Sequence, residues 1–206
     1  MNPTTGADSV GQGYDSIAEV WQRSRAGDAF RERGLLDRLV APLPPGARIL
    51  DLGCGGGEPI ARHLATLGFD LTGVDLSPRL LALARQAVPG GRFVQGDMRT
   101  IHLDQQFDAI VAWDSVFHLP RRDHGPLFRR FREWLGPQRR LLLSIGGSDE
   151  AGFTSEMWGV SFFYSGHAPD RARALLAEAG FRIEHWGIDD PTSRGHVAII
   201  AVRDAG

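Results

Sequence analysis

The chemistry-bearing residues of this chain gather where apolar runs give way to acids. The run ILDLGCGGGEPIARHL, residues 49–64, carries Asp51, then Gly53, Gly55, Gly56 and Gly57 before Glu58. LTGVDLSP, residues 71–78, carries Asp75 and Leu76. FVQGDMR, residues 93–99, carries Asp97 and Met98, and FDAIVAWDSVFHL, residues 107–119, carries Trp113, Asp114 and His118. Glycines after a strand let the backbone turn sharply and let a ligand approach the main chain. Carboxylates beside such a turn attract cations and accept hydroxyl hydrogens. The pattern is that of a cofactor seat, and the spacing restricts which cofactor. A dinucleotide seat needs Gly-x-Gly-x-x-Gly. Counting from Gly53, the third glycine is replaced by Glu58, a carboxylate at the helix N-terminus that would repel a pyrophosphate. The spacing present, Asp51-x-Gly53-x-Gly55-x-Gly57, suits a ligand with positive charge and no phosphate.

A sheet must hold these acids side by side. Apolar strands are expected at 48–52, 70–75, 92–95, 107–113, 140–146, 182–188 and 197–203, with helices at 58–67, 78–87, 121–135 and 169–179. Strands alternating with amphipathic helices imply right-handed crossovers and a mainly parallel sheet covered on both faces. The predicted fold is therefore α/β: a Rossmann-like, seven-stranded, mostly parallel sheet with an antiparallel final strand. The antiparallel pairing follows from the short connection Asp189–His196, which contains Pro191 and Gly195. Gly68 and Gly180 stand where helix C-caps belong. The organisation expected is one domain over 1–206. It has a mobile N-terminus at 1–12, a helical cap at 14–45, and a core at 46–206 with a substrate-side insertion at 149–168. Tyr14, Ile17, Ala18 and Trp21 form the apolar stripe of the cap.

Composition removes other chemistries. The chain has 206 residues, 42% apolar and 23% charged, with net charge −2. Such a balance lacks the broad attraction on which non-specific nucleic-acid binding depends. The single cysteine, Cys54, allows no intrachain disulfide and no cysteine-built metal site, and no metal is expected. All 23 basic residues are arginine, so chemistry needing a lysine amine is excluded. No stretch approaches the roughly 18 apolar residues of a membrane span. The polar N-terminus lacks a secretory apolar region, and the expected location is the cytoplasm, with no membrane partner.

In order and spacing, the four acid-bearing segments resemble the motifs of class I S-adenosylmethionine-dependent methyltransferases. The resemblance runs from about Tyr14 to the C-terminus and is strongest over 48–118. It implies S-adenosyl-L-methionine as cofactor, with Gly53 and Gly55 against its methionine part and Asp51 contacting the amino group. Asp75 would accept the ribose hydroxyls, and Leu76 would cover the adenine. Asp97 would accept from the adenine amino group, its other reading being a turn cap, and Met98 would donate from its backbone. Trp113 at the fourth strand end would border the transferring methyl group, and Tyr14 would close over the site. The implied activity is in-line methyl transfer to an oxygen or nitrogen of a small-molecule metabolite. Other uses of the same cofactor site, or a non-catalytic binding protein, are the alternatives.

His118 and Asp114 are the candidate catalytic bases; the first reads more simply as a structural or pocket-lining group, and the second has the other reading of a turn cap. The segment DEAGFTSEMWGVSFFYSGHA, 149–168, falls where the family inserts substrate-binding structure. Trp158, Phe163, Tyr164 and His167 are its candidate acceptor contacts, with Trp21 facing them from the cap; the other reading is a satellite cluster on the sheet edge. His196 is placed near the same mouth. His63 and His124 are expected on the surface, and the seven arginines of 121–140 on a solvated helix face. The chain is expected to be a monomer or homodimer.

Overall fold

Leu50, Leu52, Leu141, Leu143, Ile199 and Ala201 pack on one side of the sheet, and Ile49, Val111, Leu142, Ala198 and Ile200 on the other. This alternation, apolar on both faces, can be buried only by helices on both sides. The computed structural model describes residues 7–27, 30–190 and 196–205. Its strands are β1 (Arg48–Leu52), β2 (Asp70–Asp75), β3 (Arg92–Gln95), β4 (Phe107–Ala112), β5 (Leu135–Ile145), β6 (Glu150–Met157), β7 (Val160–Gly166), β8 (Phe181–Asp190) and β9 (His196–Arg203). Seven form one sheet in the order β3-β2-β1-β4-β5-β9-β8. The pairs from β3 to β5 are parallel, and β9 is antiparallel to both β5 and β8. The expected sheet is therefore present, with β9 as its antiparallel strand. The strand order switches between β1 and β4, with β2 and β3 to one side and β5 to the other, and open α/β sheets present their ligand cleft at the carboxyl ends of the strands at such a switch point.

The helices are α1 (Ala7–Ser16), α2 (Ala18–Gly27), α3 (Arg33–Val40), α4 (Ile60–Thr66), α5 (Pro78–Ala87), α6 (Arg121–Trp134) and α7 (Pro169–Glu178), with a 3-10 turn at Val116–His118. Leu36, Leu39, Ile60, Leu64 and Leu81 of α3 to α5 cover one face, and Phe128, Phe131, Leu175 and Leu176 of α6 and α7 cover the other. Gly68 and Gly180, at φ 83° and 78°, close α4 and α7 as expected.

Three features depart from the sequence reading. Residues 7–12, expected to be mobile, form the first half of α1, because Gly11 and Gly13 lack the side chains that would collide with Leu76 and Phe162; the rest of that expectation, residues 1–6, lies outside the described residues. The segment 149–168 is a separate two-stranded antiparallel sheet, β6 with β7, turning through Trp158 and Gly159 at φ 49° and 78°. Two consecutive positive φ values are what a tight two-residue hairpin turn requires. His124 is 2% exposed, not at the surface, since its Nε2 meets the Leu119 carbonyl at 3.1 Å under α6.

The cap is fastened at α5. Ser77 is the N-cap of α5, accepting the Leu80 N–H at 3.0 Å, and Pro78 opens the helix. Asp15 at the end of α1 accepts the Ser77 hydroxyl and the Arg79 N–H, the latter at 3.1 Å. Its charge also lies at the positive end of the helix. Asp15→Ala should therefore lower stability by about 1 kcal/mol in urea denaturation and speed amide exchange in α1 and α2; unchanged exchange there would contradict this fastening.

Candidate active site

The turn after β1 is held by backbone before any ligand is considered. Gly53 and Cys54 donate their N–H groups to the Val74 carbonyl at 2.8 and 3.1 Å. Gly53, Gly55 and Gly57 all have positive φ. At Gly53 a side chain is doubly excluded: φ is 76°, and a Cβ would stand 2.4 Å from Ser115 Cβ. The cleft beside this turn is bordered by the ends of β1, β2, β3 and β4 and roofed by α1 and α2.

Asp51, Asp75 and Asp97, the acids at the ends of β1 to β3, are satisfied differently. Asp51 is 2% exposed, and among the described residues no hydrogen bond reaches its carboxylate. Burial and the nearby charge of Asp75 push its pKa up to about 7, against a smaller opposing pull from Arg25. Asp75 accepts the Gly55 N–H and the Ser77 N–H, each at 2.9 Å. Its pKa is nonetheless raised, because burial outweighs those bonds. Asp97 is gripped by Arg99, with Nη2–Oδ2 at 2.7 Å and Nε contacts of 3.1 and 3.0 Å, and it also accepts the Arg99 N–H at 2.8 Å. Burial opposes ionisation there, but these bonds win and hold the pKa down. Asp97 caps its own turn, and it also borders the cleft.

The other end of the cleft is aromatic. His118, 6% exposed, places Nδ1 2.9 Å from the Phe163 carbonyl and Nε2 2.8 Å from the Tyr14 hydroxyl. A carbonyl only accepts, so Nδ1 carries the hydrogen and Nε2 accepts from Tyr14. Burial lowers the His118 pKa to about 4, only partly offset by the Phe163 carbonyl and the charge of Asp114. The same burial holds the Tyr14 hydroxyl protonated. Asp114 sits just beyond β4 at φ 51°, its N–H on the Ser144 hydroxyl at 2.7 Å. His196 Nε2 lies 2.8 Å from Asp114 Oδ1, and its Nδ1 lies 3.3 Å from Asp189 Oδ2. Burial alone would neutralise both Asp114 and His196. Their ion pair, with Asp189 behind it, instead holds the Asp114 pKa down and the His196 pKa up.

Of the sequence-derived site residues, the cleft brings together Tyr14, Asp51, Gly53, Gly55, Asp75, Leu76, Asp97, Met98, Trp113, Asp114 and His118, together with Trp21 and Phe163. It does not include Trp158, Tyr164 or His167. Trp158, at the hairpin tip, is 47% exposed, with its ring 6.1 Å from Trp21. Tyr164 stands behind the wall, 4.7 Å from the His118 ring and stacked on Phe153. His167 faces His124 and the Arg121 carbonyl beyond the end of the hairpin. Arg25, Arg99 and Ser115 border the cleft and were not singled out from the sequence; Glu58, which stands in place of a third glycine, borders it too. Arg25 is paired with the buried Glu32, a partnership across the cap that no local spacing announces. Cys54 is buried and its thiol pKa is raised by that burial, so it is inert packing.

Residues 49–138 match the model of the methyltransferase domain family. YqeM of Bacillus subtilis (strain 168), named as a methyltransferase, is 42% identical over 156 residues, covering 69% of this chain and 63% of that one. Trans-aconitate 2-methyltransferase of Shigella flexneri serotype 5b (strain 8401) is 31% identical over 172 residues, covering 78% and 67%. The chain thus spans about two thirds of the length of these curated relatives. Magnesium protoporphyrin IX methyltransferase from Synechocystis PCC 6803, crystallised with S-adenosylmethionine, shares the fold at a TM-score of 0.77 and 21% identity over 99% of this chain and all of that one. With the glycine turn and the strand-end acids already in place, these likenesses lead to one conclusion: the chain belongs to the class I S-adenosylmethionine-dependent methyltransferases.

Proposed function

We propose that this chain transfers a methyl group from S-adenosylmethionine to an oxygen or nitrogen of a small molecule. The observation that carries the reading is Asp51: a buried carboxylate without a hydrogen-bond partner among the described residues, beside a second carboxylate and under a glycine turn. Leaving such a group ionised and unpaired is costly, and a ligand bearing an ammonium relieves it. The cofactor, when bound, supplies a methyl group on a cationic sulfur, open to in-line displacement by an acceptor lone pair. Asp51 would hold its amino group, Asp75 its ribose hydroxyls and Asp97 its adenine edge, with Leu76 and Met98 against the base.

The remaining residues act on the acceptor. Tyr14, Trp113 and Phe163 exclude water and restrict the acceptor's orientation, which is the main demand of such a displacement. His118 already has both nitrogens engaged, so it serves chiefly to hold Tyr14. Asp114 is ionised and reaches the cleft, and it is the group that can accept the proton lost by the acceptor. The location proposed is the cytoplasm, with a small-molecule acceptor and no nucleic acid as partner.

Two outcomes test this reading. A cationic cofactor favours ionised Asp51, so binding below the free pKa must also expel a proton. Calorimetric affinity for S-adenosylmethionine should fall by up to about tenfold per unit as pH drops below about 7. Asp51→Asn should flatten that dependence and weaken binding; a flat wild-type profile would contradict the role of Asp51. Tyr14→Phe should remove the hydrogen donated to the buried His118 Nε2 and cost about 1–3 kcal/mol of stability in urea denaturation, with a loss of kcat from the loosened cap. A variant as stable and active as the parent would place Tyr14 outside the site.

A further inference from the structure

From the acceptor end of the cleft we infer that the chain selects acceptors presenting an N–H or O–H group to Asp114 and rejects carboxylate acceptors, with His196 and Asp189 as the positioning residues that keep Asp114 set for this. The inference rests on the methyltransferase reading above and names the substrate class of that site.

The geometry comes first. Asp114 borders the cleft and its side chain is 26% exposed. His196 Nε2 stands 2.8 Å from its Oδ1 as an ion-pair contact out of hydrogen-bond alignment, and the Ser144 hydroxyl donates to Oδ1 at 3.3 Å. Among the described residues, no hydrogen bond reaches Oδ2. Asp114 is fixed from its backbone as well, through the left-handed φ and the Ser144 contact. One carboxylate oxygen is therefore tied back and the other is available. The tie comes from the last hairpin: His196 opens β9, Asp189 belongs to β8, and Nδ1 of the imidazole spans to Asp189 at 3.3 Å. The Trp113 and Phe117 rings stand 5.6 and 6.0 Å from His196 and screen it from water.

The charge balance points the same way. Five acids border the cleft, Asp51, Glu58, Asp75, Asp97 and Asp114, against two arginines. Neither arginine is open to an anionic acceptor: Arg25 is paired with the buried Glu32, and Arg99 with Asp97, whose charge it offsets, and with Asp123. The acceptor end adds Asp189 to Asp114, with His196 between them. An anionic acceptor would meet a like charge at short range, which opposes its binding in a dry site. An amine or hydroxyl would donate to Oδ2, and an amine would also lie against aromatic faces that favour cations. The other groups facing Asp114 are Tyr14, Tyr164 and His118, all uncharged at neutral pH, and the more distant Arg25. None competes for Oδ2.

The test uses the full chain saturated with S-adenosylhomocysteine, after calorimetry has shown that this ligand binds. Matched sets of amine, alcohol and carboxylate on benzyl, indolylmethyl and cyclohexylmethyl skeletons are titrated and read by saturation-transfer NMR. The amine and alcohol members should bind, and each carboxylate should bind at least about tenfold more weakly. Asp114→Asn should abolish the discrimination against carboxylates. In wild type the preference should hold across the neutral range. In His196→Asn burial then pushes the Asp114 carboxyl up, so the preference should fade as pH falls. Asp189→Asn should lower the His196 pKa, seen directly in its imidazole NMR shifts. Carboxylates binding as well as the matched amines, no binding by any amine or alcohol, or an unchanged pH profile in His196→Asn would each overturn the inference. Absence of S-adenosylhomocysteine binding would instead overturn the methyltransferase reading itself.

Discussion

Asp51 and Asp75 cannot both remain comfortably charged in one buried cleft without a cation between them, and much of the surrounding structure follows from that constraint. They stand on neighbouring parallel strands, Asp51 in β1 and Asp75 at the end of β2, so the register of the sheet sets their proximity. Each is handled by a different device. Asp75 is steadied by two backbone N–H groups, one from the glycine turn and one from the start of α5. Asp97, beyond β3, is neutralised by Arg99. Asp51 has neither, and its pKa near 7 reflects this. The fold keeps a partly protonated acid where a cationic ligand has most to offer it.

The glycine turn and the cap are consequences of the same demand. A buried carboxylate must be roofed, and the roof must come close. Gly11 of α1 lies against Leu76, Gly13 lies against Phe162, and Gln22 of α2 occupies the space a side chain at Gly56 would need while donating to its carbonyl at 3.1 Å. The cap is also stitched by polar contacts at Asp15 and at the Tyr14–His118 pair. None of these contacts is to a strand of the seven-stranded sheet, so the cap can loosen without disturbing that sheet, which ligand exchange beneath a closed roof requires.

The sequence made the sheet and the cofactor half of the site readable because both are local. Strand-end acids, alternation and the glycine spacing are each contained in a short window, and the strands at 48–52, 70–75 and 92–95 fall where expected. The β6–β7 hairpin was legible only in part: Gly159 at the second turn position is its signal, but Trp158 replaces the Asn or Asp usual before it, and most of β6 is exposed without a clear apolar face. The acceptor end was less readable because its contacts are long-range. Tyr14 meets His118 across 104 positions, and His196 meets Asp114 from the far end of the sheet. The arginines of 121–140 illustrate the same limit. Read as a solvated face, several in fact reach backbone carbonyls, Arg121 at Glu150 and Arg132 at Gly180, and so brace loops against α6.

The most direct test of the central claim is a crystal structure of the full chain with S-adenosylhomocysteine. The account predicts the amino group at Asp51, the ribose hydroxyls at Asp75, the adenine between Leu76 and Met98, and the sulfur turned toward Trp113 and Asp114. Ligand density elsewhere on the molecule, or in the cleft with its amino group away from Asp51, would contradict it.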